Sequence, residues 1–175
     1  MNDLILLAIL LEGPQHGYAL KKKAGLITGH GEMHNNLVYP LLKRFVSRAW
    51  VSRRSAGGQR GQTRELYSLT VKGRRELIRA LGAFDEKTAR SPEAFWLRVS
   101  LFALLDQGAR TNILEQRTKW LARREAALQR IVEQAGVRGW SGSVLDFLQS
   151  EVKAEKKWIE RLRKKAAESG NGALA

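Results

Sequence analysis

Residues 38–70, VYPLLKRFVSRAWVSRRSAGGQRGQTRELYSLT, decide the fold of this chain. The stretch begins with a short predicted helix and continues into two β-patterned runs that flank the glycine-rich residues 56–62. In the second run Tyr67 and Leu69 alternate with Ser68, which is typical of a strand with one buried face. This order predicts a helix-turn-helix followed by a two-stranded wing.

The predicted wing is basic. Residues 53–64 hold four arginines and no acid, namely Arg53, Arg54, Arg60 and Arg64. With Gln59 at the tip, such a hairpin could clamp phosphates or enter a minor groove. The alternative is a solubilising hairpin whose charges touch nothing. Binding is favoured because no acid within the segment compensates the arginines.

The first helix is expected from the apolar run of residues 4–11. Asn2 or Asp3 is expected to cap it, and its uniform apolarity indicates burial all round. Crossing a bilayer takes ~20 apolar residues, and the charged flanks do not fit a signal peptide. We therefore expect a cytoplasmic protein without a membrane segment.

Three further helices complete the predicted winged helix. The second is expected over residues 18–24 and the third over residues 35–48, joined by a glycine-rich turn at residues 25–31. Thr70 is a good N-cap for the fourth, residues 71–81. The third helix is the one expected to enter a major groove.

Side chains on the second and third helices are candidates for DNA contact, since amides and guanidinium groups bond base edges while Tyr and Lys reach phosphates. Asn35 and Asn36 could equally cap the helix, and those two interpretations stay open. Tyr39 and Lys43 are four residues apart and share a face. The candidates are Lys22, Asn35, Asn36, Tyr39, Lys43 and Arg44.

Charge and composition agree with a polyanionic partner. The chain has 31 Lys and Arg against 17 Asp and Glu, a net +14. Residues 1–90 hold 16 basic and 7 acidic side chains, for +9, and residues 91–175 hold 15 and 10, for +5. The front half is therefore the better candidate for meeting nucleic acid.

The second half reads as helical. Helices are predicted over residues 93–105, 111–135 and 143–167. The last carries an apolar seam spaced by fours and threes, with Glu155 as its one polar member. Such a seam favours a dimer, and its predicted dimerisation residues are Leu148, Val152, Ile159 and Leu162.

Tryptophans raise the question of a ligand pocket. Four of the five lie in the helical half, where indoles either fill interhelical gaps or line an aromatic site. The core interpretation is favoured, and Trp96 with Trp120 is the candidate effector pocket.

Catalysis and metal binding find little support. The chain has no cysteine, no Gly-x-Ser-x-Gly, and no glycine loop leading into a helix. His30 and His34 are four residues apart, but glycines flank His30 and Glu does not follow it directly. We expect neither an enzyme nor a bound cofactor or metal.

Three motifs in order resemble the PadR family of transcriptional regulators, named for a phenolic acid decarboxylase repressor. They are residues 10–20 (LLEGPQHGYAL), 38–45 (VYPLLKRF) and 64–73 (RELYSLTVKG), and the resemblance covers about residues 4–80. It implies a winged helix-turn-helix, a helical dimerisation region, and a homodimer on a pseudo-palindromic operator. It also implies that small aromatic or hydrophobic effectors are candidate ligands.

Carried over by motif, Tyr39 corresponds to the family's Tyr-Pro tyrosine on the DNA-facing helix. Arg64 and Tyr67 correspond to the Arg-x-x-Tyr of its second wing strand. The family usually has Gly-Thr where Asn36-Leu37 stands here, and an acidic exit where residues 47–51 read SRAWV. The resemblance therefore does not extend to base preference.

The sequence as a whole predicts a mainly α protein with residues 1–82 as the winged helix-turn-helix domain, 83–92 as a junction, 93–168 as a helical dimerisation and effector domain, and 169–175 as a frayed tail. The predicted function is a homodimeric, ligand-responsive repressor that binds double-stranded DNA. The alternative is a winged-helix interaction module that binds RNA or a protein without an operator.

Overall fold

A computed structural model describes residues 1–28, 33–57, 63–135 and 139–169 of the chain. These residues form two compact units, Met1–Leu81 and Gly82–Ala175. Gln59, Arg60 and His30 lie outside the described residues, as do residues 170–175 of the predicted tail. The side chain of Arg64 lies outside them as well.

The first unit is a winged helix-turn-helix, which confirms the predicted fold class. An antiparallel sheet of order β1-β3-β2 joins the short first strand to the wing. The elements are α1 (Asn2–Ile9), β1 (Gln15–His16), α2 (Gly17–Thr28), α3 (Asn35–Ser47), β2 (Val51–Gly57), β3 (Thr63–Leu69) and α4 (Val71–Gly82).

Apolar side chains at helical spacing build the core of this unit. Val38, Leu42 and Phe45 form the inner stripe of α3 and are fully buried, and Leu77 and Leu81 do the same on α4. Each buried aliphatic side chain contributes roughly 1.5–3 kcal/mol relative to its exposed state. The polar residues between them are thereby directed outward.

Three local features differ from the prediction. The N-cap of α1 is Met1, so neither Asn2 nor Asp3 caps it, and Asp3 instead pairs with Arg44. Helix α2 continues through Gly25 to Thr28, because the helical context overrides the modest cost of one glycine. Strand β1 was missed, since two residues are too few to show alternation.

A tight corner joins α3, the wing and α4. Ala49 takes a left-handed backbone conformation with φ 57°, and Trp50 N donates to Phe45 O at 2.9 Å. The Thr70 hydroxyl donates to the Ala49 carbonyl oxygen at 2.7 Å and accepts from Gly73 N at 3.0 Å. Thr70 therefore caps α4, as predicted, and also fastens it to the corner.

Gly73 occupies the closest approach at this corner. A β-carbon built at Gly73 would lie 2.0 Å from the Trp50 carbonyl oxygen, a backbone atom that cannot move alone. The residue is buried, and the helix passes over the corner with no room for a side chain. The close packing of α4 on the corner therefore requires glycine at this position.

The second unit is helical, as predicted, with different bounds. Its helices are α5 (Pro92–Ser100), α6 (Gln107–Ala135) and α7 (Gly139–Ser169), and the last two pack lengthwise. The helix predicted over residues 93–105 ends at Ser100, and a 3-10 turn follows at Phe102–Leu104. The residues predicted as a junction include buried Phe84 and Ala89.

A buried ion pair joins α6 to α7. The Arg117 guanidinium, 1% exposed, donates to Glu155 Oε1 at 2.7 Å and to Oε2 at 2.8 Å. Its remaining nitrogen donates to the Ala89 carbonyl oxygen at 2.6 Å. The single polar member of the seam is thus explained, because a carboxylate there needs a cation from the facing helix.

Within the described ranges, no helix is both long and apolar enough to cross a membrane.

Candidate nucleic-acid interface

Helix α3 presents a polar face to solvent. Asn35, Asn36, Tyr39 and Lys43 are exposed, whereas the opposite stripe of the helix is buried. Spacings of three and four residues place Asn36, Tyr39 and Lys43 along one side. The structure therefore brings together four of the five predicted contact residues of this helix on one accessible face.

The start of α3 removes one alternative. Its N-cap is His34, whose side chain makes no capping hydrogen bond, and the helix begins at Asn35. Neither Asn35 nor Asn36 stands at the capping position, so capping does not account for them. Together with Lys21 and His34 they line a polar cavity of about 380 Å³ between α2 and α3.

Arg44 is engaged elsewhere. Its guanidinium pairs with the Asp3 carboxylate and ties α3 to α1. The side chain is 41% exposed and lies on a different side of the helix from the stripe that carries Tyr39 and Lys43. Arg44 is thus a predicted DNA-contact residue to which the structure gives a folding contact.

Tyr39 lies against the start of α2. A β-carbon at Gly17 would come within 3.0 Å of Tyr39 Cε1, so the ring packs on backbone that glycine leaves open. On α2, Lys22 is exposed and Lys23 pairs with Glu12. Lys22 is therefore placed at the surface of the same helix-turn-helix.

The strand register separates the wing arginines. Arg53 pairs with Tyr67 across the ladder and Arg54 pairs with Leu66, so the two arginines point to opposite faces of the hairpin. Both are exposed. The backbone of Arg64 pairs with that of Ala56. Of the two arginines on β2, only Arg53 shares the face of buried Tyr67.

An acid that the sequence analysis missed lies across the wing. Glu65 follows Arg64 directly, and its Oε2 is 3.3 Å from Arg53 Nε. The Ser55 hydroxyl, directly opposite in the ladder, donates to Glu65 Oε1 at 3.3 Å. One of the four wing arginines, Arg53, is therefore paired, because Glu65 lies one residue beyond the segment 53–64 and reaches Arg53 across the hairpin.

The pKa of Tyr67 reflects the charges on the face of the hairpin that carries Arg53 and Glu65. Burial raises the pKa of its phenol, and the Glu65 carboxylate raises that pKa further, while Arg53 lowers it. Tyr39 on α3 also contributes to raising the pKa of Tyr67. Tyr39, Glu65 and Arg53 thus each lie close enough to Tyr67 to influence its pKa.

The helical unit holds a partly apolar cleft of about 420 Å³. Five apolar side chains and two cations line it, namely Val99, Phe102, Ala103, Leu162, Ala166, Arg110 and Lys165. Trp96 and Trp120 are not among these residues. Trp96 is 52% exposed, and Trp120 stacks with the guanidinium groups of Arg117 and Arg124.

The predicted dimerisation residues divide into two pairs. Val152 and Ile159 are buried inside the single chain, so their surfaces are already used. Leu148 and Leu162 remain half-buried. A different apolar group is exposed where α6 ends and α7 begins: Ile131, Val132, Trp140, Val144 and Phe147.

A helix-turn-helix followed by a two-stranded antiparallel wing defines the winged helix-turn-helix class of proteins. Residues 6–79 match the model of the transcriptional regulator PadR-like family, a span that covers nearly all of the first unit. The chain belongs to this PadR-like family of transcriptional regulators, a family described by regulation and not by catalysis.

Several solved structures are similar to this chain. A candidate transcriptional regulator of Thermoplasma acidophilum is 32% identical over 43% of this chain and 70% of its own, with a TM-score of 0.39. Bacillus subtilis PadR in complex with operator DNA is 18% identical over 94% of this chain and 98% of its own, with a TM-score of 0.45.

The same Bacillus subtilis protein in complex with p-coumaric acid is 17% identical over 94% of this chain and 98% of its own, with a TM-score of 0.40. No curated protein matches the sequence at a significant level. The family assignment therefore rests on the sequence match over the first unit.

Proposed function

We propose that this protein is a homodimeric, sequence-specific DNA-binding repressor that a small ligand releases from a pseudo-palindromic operator. The observation that carries the proposal is the exposed face of α3, where Asn36, Tyr39 and Lys43 stand together beside the wing. Asn can bond the edge of adenine bidentately, while Tyr and Lys reach phosphates. Helix α3 would lie in the major groove and the wing along the flanking backbone.

A second copy is needed to read a palindrome. Two α3 helices must be ~34 Å apart to enter successive major grooves on one side of the duplex. The exposed apolar group where α6 ends and α7 begins supports a dimer, since its largest member, Trp140, is 91% exposed. Large contiguous apolar patches mark protein contact sites in soluble proteins. We assign the dimer interface to this group together with Leu148.

The effector site is proposed in the cleft of the helical unit. Apolar walls from Val99, Phe102 and Leu162 suit an aromatic or otherwise hydrophobic body. Arg110 and Lys165 line the same cleft and suit a negative or hydrogen-bonding group. Binding there would release DNA if the ligand prefers a dimer whose α3 helices no longer match the operator.

The DNA-binding proposal is tested by comparing genomic fragments near the gene with random duplex over a series of salt concentrations. The affinity for both kinds of DNA should fall as salt rises, with a slope of log affinity against log salt near −0.9 per phosphate contact. A regulator should still bind a specific fragment at least ~10³-fold more tightly than random duplex. Equal affinity for both would contradict the proposal and favour the interaction module. The variant N36A should abolish the difference in affinity between the specific fragment and random duplex. The variant K119A changes an exposed residue of the helical unit and should preserve that difference.

The dimer interface is tested separately by sedimentation. The variants W140S and F147S remove exposed apolar surface without touching the buried seam, so they should yield a folded monomer. The matched control V71S alters an exposed apolar residue of the first unit and should leave the dimer intact. A dimer that persists in W140S/F147S at the same protein concentration would rule out this surface.

A further inference from the structure

The wing carries an ion pair between Arg53 and Glu65. Arg53 and Glu65 are 57% and 38% exposed, and exposed pairs of this kind add little to folding stability. Yet Glu65 is well held, since Ser55 donates to its carboxylate and His16 Nδ1 donates to its carbonyl oxygen at 3.2 Å. The carboxylate is thereby fixed beside the guanidinium of Arg53.

The pair lies on the side of the hairpin that meets α3. Because side chains alternate along strands, Arg53, Ser55 and Glu65 share the face of the buried residues Val51 and Tyr67, and strand β2 packs against α3. Arg54 and Leu66 occupy the opposite face. If the protein binds DNA as proposed, a phosphate backbone that follows α3 and the wing passes close to Glu65.

A carboxylate at this position opposes phosphate binding in two ways. It repels the phosphate directly, and it occupies the guanidinium that would otherwise bind that phosphate. Phosphate contacts supply nearly all of non-specific DNA affinity but carry no sequence information. In a chain of net charge +14, weakening one such contact lowers binding to every sequence and leaves base contacts unchanged.

We propose that Glu65 is an intramolecular counter-ion that limits non-specific DNA binding by holding Arg53 against the wing. Arg53 reaches a phosphate only when it leaves Glu65. This inference rests on the proposed DNA-binding function and assigns Glu65 a role in affinity: it weakens binding to DNA of any sequence, so that base contacts supply a larger share of the binding that remains.

The test is the affinity of E65Q for a short random-sequence duplex as a function of salt. Gln keeps the size of Glu65 and can still accept the Ser55 hydrogen bond, but it neither repels phosphate nor retains Arg53. Affinity should rise roughly fivefold to tenfold at about 0.1 M salt, and the log–log slope should steepen by ~0.9, one additional phosphate contact. A variant that merely damages the wing would bind more weakly.

Two controls separate this effect from net charge and from misfolding. The variant E86Q makes the same charge change at Glu86, an exposed acid paired with Arg123 in the helical unit, and should alter affinity less than about twofold. The variant E65A removes the carboxylate without adding an amide and should reproduce the gain. In an R53A background, E65Q should increase the affinity for random duplex by less, because only the direct repulsion between the carboxylate and the phosphate is then removed.

The outcomes distinguish this inference from the proposed function. Wild-type protein that ignores random duplex even at low salt contradicts DNA binding itself, and the role of Glu65 with it. Wild-type binding with unchanged or weaker binding by E65Q and E65A overturns the counter-ion role alone. Loss of binding to a specific fragment with no change on random duplex would make Glu65 a base-contacting residue instead.

Discussion

The two units of the protein differ in whether they bury basic side chains. In the winged helix-turn-helix, Lys22, Lys43 and Arg54 remain at the surface. In the helical unit, Arg117 and Arg98 are buried, at 1% and 5% exposure, and bond carbonyl or carboxylate oxygens. Both units also keep exposed cations, Lys119 among those of the helical unit, so the difference lies in the two guanidinium groups that the helical unit buries for packing. A count of charges along the chain does not reveal this difference.

Burial has a measurable cost for such a cation. Desolvation lowers the pKa of Arg98, although its guanidinium donates to the carbonyl oxygens of Ala94 and Ala83 at 2.9 and 3.1 Å. Arg117 is compensated more fully, by the Glu155 carboxylate, by Ala89 and by the rings of Phe95 and Trp120. The helical unit therefore depends on these bonds for its stability.

The largest expected effect follows from breaking the Arg117 pair. The variant R117M leaves the Glu155 carboxylate without its partner, and breaking a buried pair in this way costs about 3–5 kcal/mol. Urea unfolding followed by far-ultraviolet circular dichroism measures the loss. The double variant R117M/E155L should recover most of it, because two apolar side chains replace two charges. A loss below about 1 kcal/mol in R117M would show that the pair is dispensable.

The second effect belongs to the winged helix. In G73A the new methyl group meets the Trp50 carbonyl, and overpacking of this kind costs about 2 kcal/mol. Amide hydrogen exchange should report the loss in the first unit. The control is G82A in the same helix, where the nearest atom is an Ala109 β-carbon at 3.8 Å. Equal protection in both variants would mean that the corner is not tightly packed.

The third effect tests whether surface cations of the first unit serve DNA. The variant K43Q should lower affinity for duplex DNA about fivefold to tenfold at about 0.1 M salt, and should reduce the magnitude of the salt slope by ~0.9. The variant K119Q makes the same change on exposed α6 and should have no such effect. Filter binding at several salt concentrations measures both. An equal loss of affinity in K119Q would contradict the proposal that DNA contacts surface cations of the first unit and not those of the helical unit.

The smallest effect concerns the hydroxyl N-caps that occur in both units. Thr70 and Ser91 each accept a backbone hydrogen bond at a helix start, at 3.0 Å from Gly73 N and 3.1 Å from Ala94 N. The variants T70A and S91A should each cost about 1 kcal/mol in free energy of unfolding, measured by urea titration. T70A should cost the more of the two, because Thr70 also bonds the corner at Ala49. The reverse order would indicate that the corner bond is weak.

Periodic patterns made much of the fold predictable. The buried stripe of α3, the alternation around Tyr67 and the cap at Thr70 each depend on neighbours in sequence. The ends of helices were predicted less accurately. Helix α2 was expected to end at residue 24 but runs on through Gly25 to Thr28, because the packing of the helix outweighs the weak conformational preference of one glycine.

Contacts between distant parts of the chain were not predictable in the same way. Glu65 reaches Arg53 across the hairpin, and Arg117 reaches Glu155 from another helix. Both would have required the strand register or the helix pairing in advance. Glu155 in an apolar seam was the one available signal, since a carboxylate at such a position needs a cation opposite. Trp96 was proposed because an apolar stripe flanks it, and such a stripe does not show where a cleft opens between helices.

The left-handed backbone at Ala49 sets the angle between α3 and the wing. An alanine does not favour this conformation, so the bend is imposed by the bonds at Phe45 and Thr70 and not by the residue itself. Glycine would adopt it without strain, and would also let the joint relax once those bonds break. With alanine at this position, the connection between α3 and the wing keeps one angle as long as the bonds at Phe45 and Thr70 hold, and it does not act as a flexible hinge.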